Sequence, residues 1–181
     1  DYVHFGDVYS GEKGPLDCDY WVLRDNEEIA KEHFKQAHQM LEAFEHWFGP
    51  YPFYEDSYKL VEVPYPGMEH QSSVTYGNGF ENGYGGNDVS STGYGWEFDF
   101  ILVHESGHEW FANNITAADN ADTWIHESFI AYSESLWVDY FFGKEAGAAY
   151  CRGTRLNISN RSPIIGPYGV NSSVTGDQYS K

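Results

Sequence analysis

The sequence predicts an α+β fold, because segments typical of strands and segments typical of helices occupy separate stretches of the chain. Two short runs rich in β-branched and aromatic residues, 20–23 and 58–63, are typical of strands. Three longer stretches, 25–48, 98–111 and 124–142, repeat their apolar residues at helical spacing. With 41% hydrophobic residues in 181, the chain can build a core without help from disulfides.

The first part of the chain is predicted to be extended over residues 1–24, with a glycine-rich turn at 11–15. The helix that follows is predicted to start at a capping box formed by Asp25 and Glu28. Its apolar residues repeat until Gly49 and the proline after it, which predict the end of the helix.

The second part alternates strands, a loop and helices. Residues 71–76 could form a strand, and residues 77–95 are rich in Gly, Asn and Ser, which favours an irregular rim beside a cleft. A helix is predicted over 144–159 and an irregular loop over 160–176.

Composition excludes several classes of function. A net charge of −18 argues against nucleic acid as a partner, because phosphate binding needs basic patches. No apolar run approaches the ~20 residues of a membrane span. Cys18 and Cys151 fit no metal or redox motif, and their spacing leaves open whether they pair. The compartment is also left open, with a periplasmic or secreted location favoured.

A metal-binding pattern is the most informative feature of the chain. The motif His-Glu-Ser-Gly-His at 104–108 places His104 and His108 four residues apart on a helix, so both imidazoles project from nearly the same face. Glu127, eighteen residues after His108, can return on a second helix as a third ligand. Two His and one Glu with one open position form the ligand set of a catalytic zinc ion.

The alternative is that these residues lie by chance on a solvated helix, since the motif fixes only three positions. Apolar residues before and after the motif place the histidines beside a buried stripe, which favours the metal. Glu127 lies near the start of a second apolar-rich helix, for which Asp122 or Thr123 is the predicted cap. A carboxylate there is costly unless it is paired, and a metal ion would pair with it.

Four segments together resemble the aminopeptidase N family of zinc peptidases, the gluzincin aminopeptidases that include leukotriene hydrolase. That family carries His-Glu-x-x-His-x-Trp-Phe-Gly-Asn, Asn-Glu-Gly-Phe, Gly-Ala-Met-Glu-Asn and Tyr-Glu-Lys-Gly. The matching segments here are His-Glu-Ser-Gly-His-Glu-Trp-Phe-Ala-Asn at 104–113, Trp-Ile-His-Glu-Ser-Phe at 124–129, Pro-Gly-Met-Glu-His at 66–70 and Tyr-Ser-Lys at 179–181. The resemblance is most specific over residues 66–127.

The resemblance implies a thermolysin-like zinc peptidase catalytic domain of α+β class, with a mixed sheet and helices that carry the metal ligands. Residues 1–24 would then be the end of a preceding β domain, and residues 25–181 a catalytic domain incomplete at its C-terminus. The family's β domain and its following helical domain would be missing partners of this chain.

The sequence departs from the family pattern at several positions. Pro66 and His70 replace the usual Gly and Asn, which alters the contacts expected along that strand. Ala112 and Ser128 stand where the family has glycines, and little chemical effect is expected from either change.

The resemblance also implies roles for individual residues around one bound Zn²⁺. Glu105 would act as general base toward a zinc-bound water, and Tyr179 would donate its hydroxyl to the developing oxyanion. Glu69 would bind the α-ammonium group of the substrate. Gly67 and Met68 would offer backbone groups to a peptide that adds as a strand.

The predicted function is therefore a zinc-dependent aminopeptidase, whose partners are peptide substrates with a free N-terminus. Two alternatives stay open. An endopeptidase of the same clan would cleave N-terminally blocked peptides and be indifferent to Glu69→Gln. A metal-bearing peptide-binding domain would bind zinc and peptides without turnover, and a truncated chain could behave in this way.

Overall fold

The computed structural model describes residues 1–161 and 163–165 and shows a mixed β-sheet with helices packed against it. The strands of this sheet are β1 (Tyr2–Gly11), β2 (Gly14–Leu23), β3 (Tyr58–Glu62), β4 (Gly67–Met68) and β5 (Val74–Tyr76). Their order is β1-β2-β3-β5-β4. β3 runs parallel to β2 and β5, and the two edge strands β1 and β4 pair antiparallel with their neighbours.

The helices are α1 (Glu27–His33), α2 (Gln36–Phe48), α3 (Phe100–Gly107), α4 (Trp124–Phe142) and α5 (Lys144–Arg155). α2 and α3 contact the sheet, and α4 contacts α2, α3 and α5. The buried apolar side chains of these elements form a continuous core. Within the part of the chain that is described, no helix is both long and apolar enough to cross a lipid bilayer.

The helix predicted over 25–48 is divided into α1 and α2 by a turn at Phe34 and Lys35. The turn places the Phe34 ring in the core, where it packs against Tyr20 and Tyr76 with centroid separations of 5.3 and 5.0 Å. α2 ends at Gly49, whose φ of 84° lies in the left-handed region that glycine adopts freely.

The predicted capping box at Asp25 is wrong. A short 3-10 turn, Arg24–Asn26, precedes α1, and the residue at the N-cap is Asn26, which makes no side-chain capping bond. Its amide instead donates to the buried carboxylate of Glu62 at 2.6 Å, and the same carboxylate accepts from the backbone N–H of Leu23. A long-range contact with the sheet therefore fixes the start of α1.

The segment over residues 1–24 forms the β1–β2 hairpin, and β2 pairs in parallel with β3. The domain boundary at residue 24 stays a prediction. At the other end, α5 stops at Arg155, four residues before the predicted end of that helix.

The start of α3 is fixed by Asp99, whose side chain is fully buried. One carboxylate oxygen caps the helix by accepting from the backbone N–H of Leu102, and it also accepts from the Asn78 amide. The other oxygen accepts from the Tyr76 hydroxyl at 2.6 Å and lies 2.7 Å from Nε2 of His33. A buried carboxylate needs such partners. Because these come from α1, β5 and the loop after β5, Asp99 sets the orientation of α3 relative to the sheet.

We expect Asp99→Ala to lower the free energy of unfolding by about 3 kcal/mol, because it removes a helix cap and leaves buried donors without an acceptor. Urea denaturation measures this change. Asp25→Ala is the matched control, since Asp25 is exposed and caps no helix. Its cost should stay within about 0.5 kcal/mol. Equal losses in the two variants would contradict the role assigned to Asp99.

Candidate metal centre and active site

The side chains of His104, His108 and Glu127 converge between α3 and the first turn of α4. Nε2 of His104 lies 3.5 Å, and Nε2 of His108 3.8 Å, from the same oxygen of Glu127. The three candidate ligand atoms all lie within 4.8 Å of one another. Tetrahedral zinc with bonds of about 2 Å separates its ligand atoms by roughly 3.3–3.5 Å. The arrangement therefore fits one cation of that size after small movements of the side chains.

The other nitrogen of each imidazole is occupied, which orients both rings. Nδ1 of His104 lies 2.9 Å from a carboxylate oxygen of Glu134, and Nδ1 of His108 lies 3.1 Å from the carbonyl oxygen of Phe111. A carbonyl only accepts, so Nδ1 of His108 carries the proton and its Nε2 is free to bind a metal ion. Nδ1 of His104 faces the Glu134 carboxylate, so a metal ion at Nε2 of His104 would leave the remaining proton on Nδ1.

Glu134 was not singled out from the sequence, although it completes this arrangement. It lies seven residues after Glu127 on α4, about two helical turns, and therefore on the same face. Its side chain is buried, and Tyr150 donates a hydrogen bond to its second oxygen at 3.3 Å. The sequence does contain a signal for Glu134: it is a carboxylate within an apolar helix, seven residues after the proposed metal ligand Glu127.

The electrostatics of the centre favour a cation. Burial lowers the pKa of His104, but hydrogen bonds to Glu127 and Glu134 outweigh burial and raise it to about 10. Burial and the neighbouring charge of His104 lower the pKa of His108. Burial raises the pKa of Glu127, but its contacts with the two imidazoles prevail and lower it. Positive charge is thus stabilised where the three side chains meet, which fits a divalent metal ion.

Glu105 and Glu69 form a second group with His108, in which the ligand atoms of all three lie within 4.8 Å of one another. Burial raises the pKa of Glu105 to about 7; the His104 charge lowers it, and the Glu69 and Glu127 carboxylates add to the rise. A metal cation nearby would lower the pKa of Glu105 again. Burial thus offsets part of the lowering that a metal ion would cause, which helps this carboxylate to accept a proton.

The strand β4, which carries Gly67 and Met68, lies at an edge of the sheet next to α3. A Cβ on Gly67 would lie 2.7 Å from Cγ of Glu105 and 2.8 Å from Cγ2 of Ile101, so the close approach requires glycine. Met68 is exposed, and Glu69 follows directly after the strand. An edge strand beside the metal centre could accept a further strand from a peptide.

A cavity of about 820 Å³ opens beside His104 and Glu127, and neither Glu69 nor Glu105 lines it. Its wall also includes Phe100, Tyr132 and Arg155, contributed by α3, α4 and α5. The volume falls within the range of small-molecule sites. The sequence did not reveal this space, because it results from the packing of α4 against α5.

A second group of potential ligands, Asp7, Cys18 and His38, lies between β1, β2 and α2. Burial raises the pKa of the Cys18 thiol to about 12, and the charge of Asp7 adds to the rise. Without a metal the thiol is therefore protonated at neutral pH, and a metal ion would have to displace its proton. Asp7 and His38 already pair with each other at 2.9 Å. Cys18 and Cys151 are both free thiols.

One predicted site residue, Tyr179, lies outside the described residues. The structure therefore brings together seven of the eight residues proposed from the sequence, in two adjoining groups. His104 and Glu105 lie on α3, and His108 follows directly after it. Glu127 lies on α4. The substrate-binding candidates Gly67, Met68 and Glu69 lie on β4 or directly after it.

Comparison with known families gives one match that covers most of the chain. A family model described as "Peptidase family M1 domain" matches residues 32–162. Human aminopeptidase N is 33% identical over 97 residues, which are 52% of this chain and 10% of that protein. The mouse thyrotropin-releasing hormone-degrading ectoenzyme is 35% identical over 54 residues, 30% of this chain and 5% of that protein.

Solved structures show the same fold at low sequence identity. An M1 zinc metallopeptidase from Deinococcus radiodurans matches with a TM-score of 0.60 and 20% identity, over 88% of this chain and 33% of that one. Aminopeptidase A from Legionella pneumophila, in complex with aspartic acid, matches with a TM-score of 0.61 and 13% identity, over 79% of this chain and 17% of that one. The chain thus spans a third or less of these relatives.

Ala112 has backbone dihedrals that favour glycine, the residue found here in the family that the sequence resembles. The segment Glu109–Asn114 is a distorted π-helix, in which Ala112 has φ 153° and ψ −56°. Such a conformation at a residue with a Cβ costs of the order of 1–3 kcal/mol. The strain lies directly after Phe111, whose carbonyl orients His108. The strained residue therefore lies next to a group that orients a candidate metal ligand.

We expect Ala112→Gly to raise the free energy of unfolding by about 1 kcal/mol, because the relief of strain exceeds the entropy cost of glycine. Ala43→Gly, at a buried position inside α2, should instead lower it by about 1 kcal/mol or more. Urea denaturation of both variants tests the prediction. Destabilisation of the same sign and size at both positions would show that Ala112 is not strained.

Proposed function

The chain belongs to peptidase family M1, and from this premise we propose that it forms the catalytic centre of a zinc-dependent aminopeptidase. The observation that carries the proposal is the convergence of His104, His108 and Glu127, with Glu105 and Glu69 beside them. The thermolysin-like architecture is part of the same proposal, supported by the mixed sheet and the helices that hold the ligands. The family's β and helical domains are the proposed partners of this unit in an intact enzyme.

Zinc is the proposed metal because two imidazole nitrogens and one carboxylate oxygen, with a fourth position left for water, form a catalytic zinc ligand set. Both imidazoles are held by their Nδ1 atoms, as a metal ligand requires. When bound, zinc would polarise the scissile carbonyl and lower the pKa of a coordinated water toward about 7.

Glu105 is the proposed general base. Its carboxylate lies within 4.8 Å of the candidate ligand atoms of His108 and Glu69. It would accept the proton of the attacking water and deliver it to the nitrogen of the leaving amine. Burial favours proton uptake, because it raises the pKa of this carboxyl against the lowering that a nearby metal ion would cause.

Glu69 is the proposed anchor for the substrate's α-ammonium group. A carboxylate fixed beside the metal centre places the first peptide bond, rather than a later one, at the reacting position. Gly67 and Met68 would align the substrate along the edge of the sheet. Tyr179 is proposed from the resemblance alone as the donor to the oxyanion.

We expect Glu105→Gln to lower kcat by at least about 10²-fold while zinc content stays near one per chain, because the substitution removes only the proton acceptor. Hydrolysis of aminoacyl anilides and elemental analysis measure the two quantities. Glu97→Gln, an exposed carboxylate before α3, is the control and should retain full activity. Full activity of Glu105→Gln would falsify the assigned mechanism, and binding of peptides without any turnover by the unaltered protein would favour the peptide-binding alternative.

We expect Glu69→Gln to raise KM for substrates with a free α-amino group by about tenfold or more, since one charge-assisted contact is lost. Cleavage of N-acetylated peptides should be absent or slow in both proteins. The measurement is a comparison of free and N-acetylated forms of one peptide. Rapid cleavage of the blocked form, with no response to Glu69→Gln, would favour the endopeptidase alternative.

A further inference from the structure

Glu109, the residue directly after the ligand His108, is fully buried and has no role in the proposed chemistry. Its carboxylate accepts hydrogen bonds from three donors. These are the backbone N–H of Ser72 at 3.0 and 3.2 Å, the hydroxyl of Tyr51 at 2.8 Å and the side-chain amide of Asn113 at 2.9 Å. The metal-bearing segment is thereby bonded to the loop that follows β4.

Asn113 makes a second bond to the same loop. Its amide nitrogen donates to the backbone carbonyl of Glu69 at 2.9 Å as well as to Glu109, so both amide hydrogens are used. The backbone N–H of Asn113 donates to the carbonyl of His108 at 3.0 Å. Asn113 therefore bridges a metal ligand and the residue proposed to bind the substrate amine.

We propose that Glu109 and Asn113 are positioning residues that hold the Glu69 loop at a fixed distance from the metal centre. They would thereby set the preference for substrates with a free N-terminus. The inference rests on the proposed function, because it assigns to these residues the placement of the amine anchor. Neither residue needs to touch the substrate or the metal.

The chemical identity of both side chains matters for this role. A glutamine at 109 would turn its N–H₂ toward Tyr51, whose hydroxyl can also accept. It would replace the charge-assisted bonds from Ser72 and Asn113 with weaker neutral ones. An aspartate at 113 has no N–H to give, and its charge would face the buried carboxylate of Glu109. Glu109→Gln and Asn113→Asp are nearly isosteric substitutions. They should therefore weaken the bonds to the Glu69 loop without changing the volume of the core.

The test compares Glu109→Gln and Asn113→Asp with the unaltered protein, each loaded with zinc. Glu62→Gln is the matched control, because Glu62 is also a buried carboxylate that accepts from one backbone N–H and one asparagine amide, at the start of α1. Tyr51→Phe is a milder variant that removes one donor to Glu109 and keeps the ring. Calorimetry measures binding of leucinamide and of N-acetyl-leucinamide, and elemental analysis measures zinc.

We expect Asn113→Asp to weaken leucinamide binding by about tenfold and Glu109→Gln by a smaller factor, with little change for the acetylated probe and with zinc content retained. KM for aminoacyl anilides should rise by a similar factor while kcat changes less. Tyr51→Phe should show a smaller effect in the same direction, so the inference can be tested even where a stronger variant fails to fold.

Two results would overturn the inference. An unchanged preference for the free amine in Asn113→Asp would show that the loop needs no such support. An equal loss of preference in Glu62→Gln would show a general loosening of the fold. Absence of any preference in the unaltered protein is a different result, because it removes the amine-binding role of Glu69 itself, together with the inference that depends on it.

Discussion

The balance of charge around His104 is the constraint on which the rest of this structure depends. Glu134 contacts one nitrogen of the ring and Glu127 faces the other, while Glu105 lies next to it in sequence. Buried carboxylates that lack a positive partner cost several kcal/mol each. A cation shared by His104, His108 and Glu127 would lower this cost, so metal binding and the packing of α3 against α4 should stabilise each other.

Much of the fold could be predicted from the sequence where local pattern decides the structure. α4 begins at Trp124 and ends at Phe142, the bounds predicted from apolar spacing, because a long periodic segment is a strong signal. The start of α1 could not be predicted, because Asn26 bonds to Glu62, thirty-six residues away. Asp99 precedes an apolar helix and so resembles an ordinary cap, but its partners on α1 and β5 are visible only in three dimensions.

The candidate site was predictable for a different reason. Helical geometry alone places His104 and His108 on one face, and the sequence therefore determines their convergence locally. The groups that orient them could not be found in the same way. The carbonyl of Phe111 reaches His108 only because the chain after it departs from a helix. In the sequence, Glu109 and Asn113 are simply members of the 104–113 motif. Their bonds to the Glu69 loop depend on the position of β4, which the sequence does not show.

The helix α3, which bears metal ligands, and the strand β4, which is proposed to receive the substrate, are held together by direct contacts and through β5. Tyr76 of β5 donates to Asp99, which caps α3, and Gly67 of β4 is the antiparallel partner of Tyr76. Gly67 also approaches Glu105 so closely that no side chain fits between them. A movement of β4 would therefore displace the proposed general base and the proposed amine anchor together. Groups carried by packed strands and helices hold their geometry better than groups on loops. Glu69 lies on the short loop after β4, and the Glu109–Asn113 pair bonds to that loop and can support it.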